Sequence, residues 1–190
     1  LDEYKDNLTK SSGVLIHTDS NGKDTPIPIT DTVEYINGAS IEKMLNSNPK
    51  YFCCKKNLYK LTQQLLQGLQ LLHNKKILHL DLTPHNIILT HVGNDVKIID
   101  FGFCLSDSYI HTAGTTTGFA APELLERRIE DINESTDIYA VGALLQYIEK
   151  KTGKKLPGKL QRIKRRCLQQ QKSRRYATVG EIIKTIKYRK

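Results

Sequence analysis

His79-Leu80-Asp81-Leu82-Thr83-Pro84-His85-Asn86, with Asp100-Phe101-Gly102 beginning fourteen residues after Asn86, is the stretch whose reading decides the fold. Asp81, Asn86 and Asp100 stand at turn positions beside short apolar runs. Hard cations prefer such oxygen ligands, and turns flanked by strands can aim two of them at a single magnesium site. Taken singly each residue is a weak signal, because Asp and Asn populate turns for backbone reasons alone.

Working outward, the runs Ile77 to Leu80, Ile87 to Leu89 and Val96 to Ile99 read as strands, with Gly93 and Asn94 turning the chain before the last. Upstream, Asn57 to Asn74 carries Leu58, Leu61, Leu65, Leu69 and Leu72 at spacings of 3, 4, 4 and 3. That is one face of a long amphipathic helix. Ser40 ahead of Ile41, Met44 and Leu45 predicts a capped short helix that stops near Pro49. The polar first 30 residues predict a hairpin: Val14 to Ile16, a turn at Ser20-Asn21-Gly22, and a second strand from Ile27 running on to Val33, Tyr35 and Ile36.

Downstream, residues 102–122 are rich in Gly, Ser, Thr and Ala without a period, which predicts a loop of the length that tends to be functional. Helices are expected at about Asp137 to Lys151, about Leu160 to Gln169 and Thr178 to Lys187, the last opened by a Thr178 and Glu181 capping box. Neither repeats nor low-complexity segments occur.

The 190 residues suffice for one ordinary domain, and 38% hydrophobic with 26% charged residues is the balance of a soluble globular chain. No run of about 18 apolar residues could span a membrane, and residues 1–10 lack the apolar core of a secretory signal, so a cytoplasmic protein is expected. Leu1 in place of an initiator methionine points to a processed or truncated chain. The four cysteines, Cys53, Cys54, Cys104 and Cys167, show no Cys-x-x-Cys spacing and are expected to be buried free thiols. The net charge of +9 is concentrated: Lys150 to Arg175 holds 12 basic residues and no acid, against 17 basic and 20 acidic elsewhere. A solvated basic face is favoured there over a partner surface, and the absence of aromatic residues argues against nucleic acid.

The order of these motifs resembles the eukaryotic-type protein kinase family: a catalytic loop of the His-Arg-Asp type, a metal-binding Asp-Phe-Gly, and Ala121-Pro122-Glu123 closing the activation segment. Gly118-Phe119-Ala120 is similar to the substrate-binding loop, with Thr116 five residues before Ala121. Asp137 to Gly142 resembles the start of the helix that anchors the large lobe, and Arg174-Arg175 the arginine that pairs with the glutamate of Ala-Pro-Glu. Val33 to Gly38 is similar to the hinge between lobes. The resemblance implies an α+β, mainly α fold: a protein-kinase-like large lobe at 39–190, preceded at 1–38 by a hinge-like segment and a remnant β hairpin of the small lobe. Residues 1–32 contain no Gly-x-Gly-x-x-Gly loop, no Val-Ala-Ile-Lys strand and no regulatory-helix glutamate.

By the same resemblance Asp81 positions a substrate hydroxyl and accepts its proton, while Asn86 and Asp100 hold Mg2+ against the phosphates of ATP. Thr116, Gly118 and Phe119 belong to the substrate loop. His79, Glu123, Asp137 and Arg175 are structural; His79 is expected to be a hydrogen-bonded core histidine, and His85 and His91 have no third partner at metal spacing. Two positions depart from the family. Leu80 replaces the usual arginine and Thr83 the usual lysine, so two cations that face phosphate are lost. The favoured expectation is a Ser/Thr protein kinase acting on a protein substrate, with reduced activity in isolation. Its rivals are an idle module that binds and regulates a partner kinase, and a large lobe completed by a small lobe upstream or on another chain.

Overall fold

The computed structural model describes residues 14–18, 24–28, 35–104 and 118–187, the two N-terminal segments as backbone. Thr116, Val33 and most of the predicted 102–122 loop lie outside the described residues. The architecture is α+β and mainly helical, as expected.

Strands β1 (Val14–Thr18) and β2 (Asp24–Pro28) form an antiparallel hairpin in register Val14 to Pro28 and Thr18 to Asp24. The predicted turn at Ser20-Asn21-Gly22 and the predicted continuation of the second strand to Val33 lie outside the described residues. Tyr35 to Asn37, where that strand is expected to run on, are not in a strand.

A second sheet has the order β3 (Gly38–Ser40), β4 (Ile87–Thr90), β5 (Val96–Ile98), antiparallel throughout. Gly38 sits opposite Thr90, where a Cβ would come within 2.5 Å of the Leu89 carbonyl oxygen, so glycine is required for the approach. The β4–β5 turn uses Gly93 and Asn94, both left-handed at φ 81° and 52°. The predicted strand Ile77 to Leu80 does not form; only Leu78 makes an isolated bridge. Leu80 is left-handed at φ 63°, and the N–H groups of His79 and Leu80 donate to the Asp137 carboxylate instead of to a neighbouring strand.

Ser40 caps α1 (Ile41–Ser47), its hydroxyl accepting from Lys43 N at 3.3 Å. Helix α1 stops at Ser47, near Pro49 as expected, and Pro49 then begins α2 (Pro49–Cys53), the position that suits a residue without an N–H. The leucine stripe becomes α3 (Lys55–Asn74), with Leu58, Leu61, Leu65 and Leu69 buried. After the short α4 (Pro122–Leu125), α5 runs over Glu134–Thr152. It begins one turn before the predicted start because Asn133 caps it: its side chain accepts from Ser135 N, and Thr136 Oγ1 accepts from Asn133 N. Then follow α6 (Gly158–Cys167) and α7 (Val179–Lys187).

Helix α5 is buried nearly all round from Ser135 to Leu145 and fills the centre, packed against α6, while α3 packs on α7 and on β5. Among the described residues no helix is long and apolar enough to cross a membrane. All four cysteines are free, yet only Cys167 is buried; Cys53 and Cys104 are half-buried and Cys54 is exposed. The expectation of uniformly buried thiols is corrected by Cys54, exposed in the α2–α3 joint, and by the half-buried Cys53 and Cys104.

Candidate active site

The 79–86 loop is held from below by α5. Asp137, fully buried in its first turn, accepts three hydrogen bonds: from His79 N at 2.9 Å, Leu80 N at 2.8 Å and His73 Nε2 at 2.8 Å. A buried carboxylate with three donors is satisfied, so it organises the loop and has no spare capacity for chemistry. His73 was not singled out by sequence reading. Its signal was a polar side chain at the end of the leucine stripe of α3, on the buried side. His73 Nδ1 also lies 3.5 Å from Glu134 Oε2.

His79 is buried as expected and links the two halves of the site. Asp81 N donates to its Nδ1 at 3.3 Å, so Nδ1 is bare and Nε2 carries the proton that reaches Ile99 O at 3.1 Å. One residue beyond Ile99 stands Asp100, and Ile99 N itself donates to Asn86 O at 2.9 Å. Helix α1 joins the frame through Glu42 N, which donates to Pro84 O. Sheet, loop and helices thus bring Asp81, Asn86 and Asp100 to one region.

Within that region the Asn86 amide donates to the Asp81 backbone oxygen at 2.9 Å and to Asp81 Oδ2 at 2.8 Å. This fixes which way the amide faces: its nitrogen is committed to Asp81, and no hydrogen bond among the described residues engages its oxygen. Asp100 is left-handed at φ 63°, and its Oδ1 accepts from Gly102 N at 3.2 Å. The Phe101 ring lies 5.3 Å from that of His79 and is half exposed. Cys104 Sγ lies 3.9 Å from His79 O; burial, with Asp137 and Asp100 nearby, pushes its thiol up to about 12.

The substituted positions are closed. Leu80 is 9% exposed and Thr83 2% exposed, so neither presents a polar group to an incoming phosphate. Among the described residues no three His, Cys, Asp or Glu side chains cluster for a metal, so a cation here would rest on one carboxylate, one amide oxygen and the ligand's own oxygens.

At the far end of the segment, Glu123 and Arg175 form a bidentate pair at 2.7 and 2.8 Å, both buried. Arg175 further donates to the carbonyls of Ser135, Gln169 and Gln170, and Thr136 Oγ1 donates to Glu123 Oε1. Burial alone would raise the Glu123 pKa; Arg175, a backbone N–H and Thr136 outweigh it and hold the carboxyl below its usual value. Gly118 is left-handed at φ 103°, and Phe119 packs edge-on against Tyr147 of α5 at 5.5 Å. Tyr147 in turn donates to Glu42 Oε2 at 2.7 Å. The segment bearing Gly118 and Phe119 is therefore anchored to the same helix as the 79–86 loop.

The family profile described as protein kinase domain matches residues 28–184. Among curated proteins, the chain is 32% identical over 121 residues to myosin light chain kinase 3 of Danio rerio, covering 61% of this chain and 16% of that protein. It is 32% identical over 118 residues to serine/threonine-protein kinase 17A of Oryctolagus cuniculus (59% and 29%), and 33% identical over 116 residues to serine/threonine-protein kinase CLA4 of Candida albicans (59% and 12%). The matched part thus spans less than a third of each of these relatives. With the match over most of its length, and with its loop, Asp-Phe-Gly and Ala-Pro-Glu segments gathered around α5, the chain belongs to the protein kinase domain family.

Proposed function

We propose that the chain is a Ser/Thr protein kinase-like phosphotransferase, moving the γ-phosphoryl group of ATP to a hydroxyl of a protein substrate. The observation that carries the reading is the Asp81–Asn86 pair. One amide positions the carboxylate that meets the incoming hydroxyl and keeps its own oxygen for a cation. Both side chains are over nine-tenths buried, so their geometry is preorganised.

In this reading Asp81 orients the substrate oxygen and accepts its proton as the new O–P bond forms and the bond to the departing ADP breaks. Asn86 Oδ1 and the Asp100 carboxylate fit a magnesium ion, which when bound ties the nucleotide phosphates to the protein and offsets their charge. Asp137 and His79 position the loop without touching substrate. Thr116, Gly118 and Phe119 present the protein substrate. A cytoplasm, which supplies ATP and keeps four free thiols reduced, is the favoured compartment.

Closed, uncharged positions at Leu80 and Thr83 favour a second reading, an idle module that binds a partner kinase, because the usual cationic stabilisation is absent. Radiolabelled transfer from ATP with magnesium separates the two. A kinase gives slow transfer that Asp81→Asn lowers by about a hundredfold or more, with melting temperature little changed. Transfer by the wild type no greater than by Asp81→Asn, with and without candidate partners, would leave the idle module.

A further inference from the structure

Among the described residues one buried side-chain polar atom has no hydrogen-bond partner, and it is Nδ1 of His73. The ring belongs to the last turn of α3, with its side chain 3% exposed. Its other nitrogen is committed. Nε2 lies 2.8 Å from Asp137 Oδ2, the oxygen that also accepts from His79 N, while Asp137 Oδ1 accepts from Leu80 N. An acceptor-only carboxylate requires a donor opposite, so Nε2 carries a proton and the state of the ring turns on Nδ1.

Glu134, three residues before Asp137 on α5, places Oε2 3.5 Å from Nδ1. A bare Nδ1 would point a lone pair at a carboxylate oxygen inside the fold, with no donor among the described residues to relieve it. A protonated Nδ1 turns the same contact into an ion pair, and the ring then bridges both carboxylates in the first turn of α5. The Glu134 side chain is 37% exposed, which gives that proton a way to and from solvent. Other charged or titratable groups nearby are engaged elsewhere or neutral. Lys172 and Arg175 line a cavity of about 440 Å³ with Glu134 but are held by Asp131 and Glu123. The His79 ring turns to Asp81 N and Ile99 O, and Cys104, whose thiol is pushed up to about 12, carries no charge. On α7, Glu181 pairs with Arg166 and Lys184 is exposed.

We propose that His73, Glu134 and Asp137 form a proton-operated clamp on the turn that carries Asp81. With Nδ1 protonated, the ring ties the end of α3 to both carboxylates of α5; when that proton leaves, the Glu134 contact is lost and Asp137 holds His79 N and Leu80 N less firmly. The turn needs the hold because Leu80 is left-handed at φ 63°, a conformation that relaxes once its restraint weakens. Protonation of a buried histidine thereby biases the geometry of a distant loop. Glu134 and His73 are positioning residues that reach Asp81 only through this turn. That the clamp tunes phosphoryl transfer rests on the function proposed above; the clamp itself does not.

Nuclear magnetic resonance of the full chain, resolving the ring nitrogens, tests it at about pH 6 and about pH 9, on either side of the range in which imidazole ordinarily changes charge. His73 shows both nitrogens protonated at the lower pH and Nε2 alone at the higher. Amide exchange, expressed as protection factors to remove the intrinsic effect of pH, reads the turn: His79 and Leu80 are protected about tenfold better at the lower pH, and Glu134→Gln removes the difference. The same variant lowers the melting temperature more at the lower pH than at the higher, where its amide can donate to the bare Nδ1; the charge that Glu134 lends to the start of α5 is common to both conditions and cancels. A His73 ring with one protonated nitrogen at the lower pH, equal protection of the turn at both, or an equal effect of Glu134→Gln on melting at both overturns the proposal. None of these readouts requires ATP, so failure of the clamp and failure of the phosphotransferase reading are separate results.

Discussion

Leu80 shows how one residue can be structurally demanding and chemically silent. Left-handed backbone at a leucine costs on the order of 1–3 kcal/mol, and the Asp137 carboxylate holds it there by taking its N–H at 2.8 Å. The bend turns Asp81 out of the strand-like path that its apolar neighbours suggest. Asp100 shares the left-handed conformation, with its Oδ1 turned back to Gly102 N. At this scale the test is electrostatic. In the proposed reading Asp100 and Asn86 reach phosphates only through a cation, so nucleotide affinity should depend on magnesium, and Asp100→Asn should weaken it by about tenfold or more in magnesium with little change in EDTA. Calorimetric titration of both proteins under both conditions checks this; equal wild-type affinity with EDTA would refute it.

Among elements, the Glu123–Arg175 pair ties α4 to the segment entering α7. Replacing Glu123 by alanine strands a buried guanidinium and should cost about 3–5 kcal/mol, read as a lowered denaturant midpoint. The same pair contributes an acid dependence. Because the folded pKa of Glu123 is lowered, its stabilisation is complete above the ordinary carboxylate pKa and is lost as pH falls through the depressed value. Between about pH 7 and about pH 3, the wild-type melting temperature should therefore fall more steeply than that of Glu123→Ala; parallel curves would show that the pair contributes nothing.

The contact of α5 with α6 is tighter still. A Cβ on Gly142 would come within 2.7 Å of Cys167 Cβ, both on helix backbones that cannot swing aside. Gly142→Ala should destabilise by about 1–3 kcal/mol, despite the better helix propensity of alanine. Thermal or urea denaturation measures it, and a stabilised variant would mean that the helices sit farther apart.

For the whole molecule, the four free thiols report packing. Cys167 is fully buried and its thiol is pushed up to about 12, as is that of half-buried Cys104; Cys54 is exposed. A thiolate-selective reagent near neutral pH should therefore label Cys54 rapidly and Cys104 and Cys167 only as the fold opens. Site-resolved mass spectrometry after brief labelling would show it, and comparable rates at Cys54 and Cys167 would contradict the α5–α6 packing.

What the sequence by itself determined were the features whose signal is local. The leucine period made α3, Ser40 capped α1, Gly93 and Asn94 turned β4 into β5, and the motif order from His79 to Glu123 identified the family. Tertiary structure decided whatever depends on a partner distant in the chain. Ile77 to Leu80 has the composition of a strand, but its N–H groups are taken by a carboxylate 57 and 58 residues away, and that long-range bond outweighs β propensity. His73 became part of the site for the same reason. The basic run from Lys150 to Arg175 appeared as one face in sequence, yet Lys151, Lys164, Arg166, Lys172 and Arg175 meet Glu42, Glu149, Glu181, Asp131 and Glu123. Only folding could sort it, because charge composition carries no record of which acids the helices bring within reach.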